Sequence, residues 1–189
     1  DAIANYSEKL SQKGIKPKEA SAFKILLASL YDVRGQAYLA KGEKGKAKED
    51  FLLAMKDIKT TFGIYYKVNF ALAEINKGSG DEEKYLYECA SNYLQRWKEP
   101  SVRDVVLRLV KIYEDNGAAF EKSGNYKQAA LLYKKYYRLL SYLYQRRQFN
   151  DVYVKYSPRA HILYVDAEDA ASGYSPAGLN KTEEEYLKG

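Results

Sequence analysis

One histidine and one cysteine are all that this chain offers to imidazole or thiol chemistry. His161 lies in RAHILYV, among apolar residues, and Cys89 lies in LYECAS. A general base needs a partner that orients it, and none is indicated, so His161 is expected as a partly buried packing residue. Cys89 is expected as a small core residue. A lone cysteine also excludes an intramolecular disulfide and a multi-cysteine zinc site. Two acidic clusters invite a metal ion. Asp81, Glu82 and Glu83 open a helix, where carboxylates favour the positive end of the dipole, and Asp166, Glu168 and Asp169 lack the glycine and distal glutamate of a calcium loop. Both clusters are expected as solvated charge. Neither a phosphate loop, a dinucleotide fingerprint nor a His-Glu-x-x-His helix occurs. No catalytic residue, metal or cofactor is therefore expected.

The segment 133–149, YKKYYRLLSYLYQRRQF, offers a different chemistry. Lys134, Lys135, Arg138, Arg146 and Arg147 alternate with Tyr136, Tyr137, Tyr142 and Tyr144. Bases stack on tyrosine while cations hold phosphates, so this run is the candidate surface for nucleic acid or another anionic polymer. The competing expectation is an ordinary amphipathic helix with aromatic residues inward and charge outward, and it is the preferred one.

These residues must be carried by helices. Four prolines in 189 residues leave long stretches free to be helical. Hydrophobic residues make up 46% and charged residues 30%, a globular composition with no apolar run long enough to span a bilayer. Twenty tyrosines need packing or contact surfaces to justify them, since tyrosine is a modest helix former. Residues 100–156 carry 11 Lys/Arg against 5 Asp/Glu, and residues 157–189 carry 3 against 6, so the basic surplus precedes an acidic tail. A start at Asp1, with neither methionine nor a basic-then-apolar leader, is what removal of an export signal would leave, as would trimming. An exported protein, periplasmic or extracellular, is the expectation.

The chain repeats itself. Residues 31–54 (YDVRGQAYLAKGEKGKAKEDFLLA) align without a gap on residues 113–136 (YEDNGAAFEKSGNYKQAALLYKKY). Tyr31 falls on Tyr113, Gly35 on Gly117, Tyr38 on Phe120, Gly42 on Gly124, Ala47 on Ala129 and Phe51 on Tyr133. Small residues at Gly35 and Ala47 suit two antiparallel helices that cross closely, with the aromatic positions on the meeting faces. Gly42 and Gly124 suit left-handed C-caps. These spacings resemble the tetratricopeptide repeat, with about three units between residues 28 and 143 and a degenerate middle unit over 64–99, where Ala71 stands for the glycine and Ser79-Gly80 looks inserted.

The resemblance implies an all-α fold of antiparallel helix hairpins stacked into a right-handed superhelix. Helices are expected at 1–12, 17–41, 44–59, 63–77, 81–96, from Ser101 (as N-cap) to 122, and at 126–148. A helix from Ser157-Pro158 to Ala171, stopped at Ser172-Gly173, and a short last helix opened by Thr182 and Glu185 would cap the array. The repeat domain is thus 1–156, with capping helices and tail at 157–189. The family's inner groove maps onto Asp32, Val33, Gln36 and Leu39, then Tyr65, Asn69 and Leu72, then Lys111, Glu114, Asp115, Ala118 and Glu121. Asp32 and Asp115 stand where a carboxylate clamp would need other groups, so that clamp is not expected. The function this implies is a non-catalytic scaffold or assembly subunit that binds a protein partner in the groove.

Overall fold

A computed structural model describes residues 2–12, 14–56, 58, 62–92, 100–147 and 149–173. All secondary structure among them is helical, and the fold is all-α. The chain divides into two compact units, at residues 1–96 and 97–189. The first holds α1 (Ala2–Ser11), α2 (Pro17–Ala40), α3 (Lys44–Met55), α4 (Phe62–Ile75) and α5 (Gly80–Asn92). The second holds α6 (Pro100–Lys122), α7 (Tyr126–Gln145) and α8 (Asn150–Ala171). Among the described residues, no helix is long and apolar enough to cross a membrane. The tail expected to carry Thr182 and Glu185 lies outside the described residues.

The aligned glycines do the same work in both units. A Cβ on Gly35 would lie 2.7 Å from Phe51 Cε1, and one on Gly117 would overlap the Tyr133 ring. Each glycine therefore lets a helix lie against the aromatic ring of its hairpin partner. Ala47 and Ala129 are fully buried beside these crossings. The turns match as well. Gly42 (φ +79°) donates to Leu39 O at 2.9 Å while Glu43 donates to Tyr38 O at 2.9 Å. Gly124 (φ +75°) donates to Glu121 O at 2.9 Å while Asn125 donates to Phe120 O at 2.8 Å. This pair of reversed bonds satisfies the last carbonyls of the helix and requires the left-handed residue that glycine supplies.

Four local expectations fail. Helix α8 starts at Asn150 and runs through Pro158, so Ser157-Pro158 does not open it. Pro158 removes the amide that would bond the Val154 carbonyl, but Val154 is 69% exposed and Pro158 is exposed, so water can take that carbonyl. Burial of Val152, Ser157, Ala160 and Ala167 then decides for the helix. Likewise α6 begins at Pro100, and Ser101 lies inside it rather than before it. In the middle hairpin the left-handed turn residue is Gly78 (φ +80°) and α5 starts two residues later at Gly80, as α3 does after Gly42, so Ser79-Gly80 is not an insertion. Glu82 is buried rather than solvated, because its carboxylate accepts from the Gly78 amide and so caps the start of α5.

Candidate functional site

Polar side chains that bridge each hairpin are the first candidates, and most are engaged internally. In α2–α3 the Arg34 guanidinium meets the buried Asp50 carboxylate in a two-pronged pair, Nε and one terminal nitrogen each at 2.7 Å. In α4–α5 the Tyr65 hydroxyl donates to Glu88 at 2.6 Å. Burial, then that carboxylate, pushes the Tyr65 phenol up to about 12. In α6–α7 the Tyr133 hydroxyl donates to Glu121 at 3.1 Å and the Tyr136 hydroxyl to Glu114 at 3.3 Å, and both phenols are pushed up by burial first and by the carboxylates second. Arg159 of α8 approaches Glu114 at 3.0 Å. Glu121 and Glu114 thus hold the hairpin of the second unit together.

The expected groove residues accordingly separate into two kinds. Asn69 is wholly buried, its amide donating to the Tyr65 carbonyl at 2.8 Å, and Leu72 is wholly buried as well. Neither is a surface residue: the middle of α4, with Val68, Ala71 and Ala73, is buried in the core of unit 1, and the Asn69 amide bonds the helix's own carbonyl. Tyr65, Glu114 and Glu121 are part-buried in the bonds above. Gln36, Lys111 and Asp115 are exposed, and half-buried Asp32 accepts from Gln36 at 3.4 Å.

On the basic run, Lys135, Arg138, Arg146 and Arg147 are exposed. Lys134 lies 3.8 Å from Glu168 and over the Tyr164 ring, and Arg146 sits over the Tyr142 ring. Tyr136 and Tyr133 point into the core, whereas Tyr137 and Tyr142 are half-buried and Tyr144 is 48% exposed, stacked on Tyr153. His161 is exposed and tilts against Tyr137, 5.2 Å between ring centres. Cys89 is buried, its thiol pushed up by burial and directed at the Tyr66 carbonyl. Among the described residues, no three His, Cys, Asp or Glu side chains converge as metal ligands would.

One surface includes Val33 and Gln36 of the expected groove and extends beyond it. On α2, Ala22, Leu26, Ser29, Val33, Gln36 and Ala40 recur at alternating intervals of four and three and carry no charge. This spacing places them on one face. Leu26 is 44% and Val33 67% exposed, and Ile25 flanks them at 38%. The aligned face of α6 reads Asp104, Arg108, Lys111, Asp115, Ala118 and Lys122. The same face of the same hairpin helix is thus uncharged and mostly apolar in one unit and charged in the other. The 4-3 spacing was the available signal, overshadowed by the charged residues beside it. No match was found: neither a family model, a curated protein nor a solved structure aligns significantly with this chain.

Proposed function

We propose that this chain is a non-catalytic scaffold of tetratricopeptide-like hairpins, stacked in the right-handed manner of that family, which binds a protein partner through the first helix of its hairpins. The observation that carries the reading is the apolar face of α2, from Ala22 to Ala40. The exposed Leu26 and Val33, two turns apart on this face, contribute little to the stability of their own unit. Their spacing suits an apolar ridge from a partner, such as one face of a helix. The charged counterpart on α6, with Lys111 and Asp115, supplies a polar patch for register and specificity. Support for the repeat comes from the paired crossings at Gly35 and Gly117 and the paired turns at Gly42 and Gly124.

The second reading, an anionic polymer on α7, rests on the exposed Lys135, Arg138 and Arg146. The two are separated by affinity capture from native lysate with Leu26→Glu/Val33→Glu and with Lys135→Glu/Arg138→Glu. Loss of the captured protein with the α2 pair alone supports the scaffold. Loss with the α7 pair alone, together with a steep decline of binding as salt rises, supports the polymer.

A further inference from the structure

One core position differs sharply in size between the two aligned hairpins. In unit 2, Tyr136 is fully buried and stacks on Tyr113 at 6.0 Å between ring centres. The aligned residues in unit 1 are Ala54 and Tyr31. Beside Ala54, the residue aligned with Tyr136, unit 1 has a cavity of about 130 Å³, lined by Tyr31, Ala54, Leu27, Ile58, Lys24 and Lys56 among others. The aligned partners of the apolar members, Tyr113, Tyr136, Leu109 and Leu140, are all fully buried in unit 2. The cavity therefore sits where the other hairpin has its core. It compares in size with the roughly 150 Å³ apolar cavity that accepts a benzene ring.

We infer that this cavity is a second binding site, for the aromatic side chain of an acidic peptide segment in a partner protein. The internal precedent of Tyr136 says that an aromatic ring fits between α2 and the end of α3. The two lysines say what surrounds that ring. Lys24 and Lys56 are exposed at the cavity, so carboxylates next to the aromatic residue find ammonium groups while the ring is desolvated. Leu53, 43% exposed, lines both this cavity and a shallow hollow on α3 formed by Leu52 and Met55 with Glu49 and Lys56 at its edge, which continues the contact for an apolar residue beside the anchor. A tyrosine or tryptophan seated in a desolvated pocket is a frequent form of hot spot. The site rests on the scaffold reading only in taking its ligand to be a protein segment, and it is separate from the exposed apolar face of α2.

The test uses the full chain and a labelled peptide, acetyl-Glu-Glu-Tyr-Leu-Glu-amide, followed by fluorescence anisotropy. Saturable binding is expected, weakened roughly 30-fold when alanine replaces the peptide's tyrosine. Lys24→Glu/Lys56→Glu should weaken it ~10-fold or more with the thermal midpoint unchanged. Ala54→Phe should fill the cavity from within, keep or raise the thermal midpoint and abolish binding. Should Ala54→Phe prove too unstable to assay, the lysine pair and the alanine peptide decide by themselves. No saturable binding, or binding indifferent to both the lysine pair and the peptide's tyrosine, overturns the site. Binding lost with Val33→Glu but kept with Ala54→Phe places the peptide on α2, which removes the cavity site and leaves the scaffold reading standing.

Discussion

Gly35 and Gly117 show how much one missing methyl group can matter. Each holds its helix against an aromatic ring at a distance that leaves no room for a Cβ. Gly35→Ala and Gly117→Ala should each cost about 1–3 kcal/mol through overpacking, read as a drop in the urea midpoint at unchanged slope. A midpoint equal to the parent's would mean that the hairpins do not cross there. The tyrosine–glutamate pairs respond to pH. Tyr65 is pushed up to about 12 by burial and by Glu88, against about 10 in an unfolded chain. A raised folded value means that the folded state holds the proton more tightly. The stability linked to it is complete below about pH 10 and is lost as pH rises through about 12. Thermal midpoints measured across that window should fall for the parent and fall less steeply for Tyr65→Phe. The glycine–aromatic pairs were legible in the sequence because large and small residues recurred at a fixed offset. The burial of Asn69 and Glu82 was not, because a polar side chain that bonds its own local backbone looks the same in sequence as one facing water.

Helices were legible where caps and spacing agreed, and misplaced where a strong local signal met a stronger tertiary one. Ser157-Pro158 is a good helix start by itself, yet α8 runs through it because the buried residues on both sides of the proline belong to one face. Restoring the missing amide should therefore help. Pro158→Ala is expected to stabilise the protein by roughly 1–3 kcal/mol, measured by denaturant unfolding, since it adds a bond to Val154 and relieves the ring's clash. An unchanged or lowered midpoint would show that the helix is bent to suit the proline. The middle hairpin was the hardest to read. Alanine stands at 71 in place of the glycine, although the hairpin's turn residue Gly78 lies seven places after Ala71, just as Gly42 follows Gly35.

The molecule as a whole is two compact units, each with its own buried aliphatic and aromatic residues. Unit 2 centres on Leu109, Tyr113, Tyr133, Tyr136 and Leu139, all fully buried. Residues 97–189 expressed alone should give a helical far-ultraviolet spectrum and a cooperative melt; a flat, non-cooperative trace would mean that this core depends on the first unit. The partner's identity is not legible at any scale, because a face such as that of α2 specifies an apolar ridge and not its owner. The central claim is that this face binds protein. Its most direct test is site-specific photo-crosslinking in native lysate from a benzophenone side chain at Val33, with the same group at Val165 of α8 as the control of similar chemistry. The account predicts a discrete protein adduct from Val33, lost on adding Leu26→Glu and missing from Val165. Adducts equal at both positions, or none at Val33 beside a salt-sensitive nucleic-acid adduct from Lys135, would contradict it.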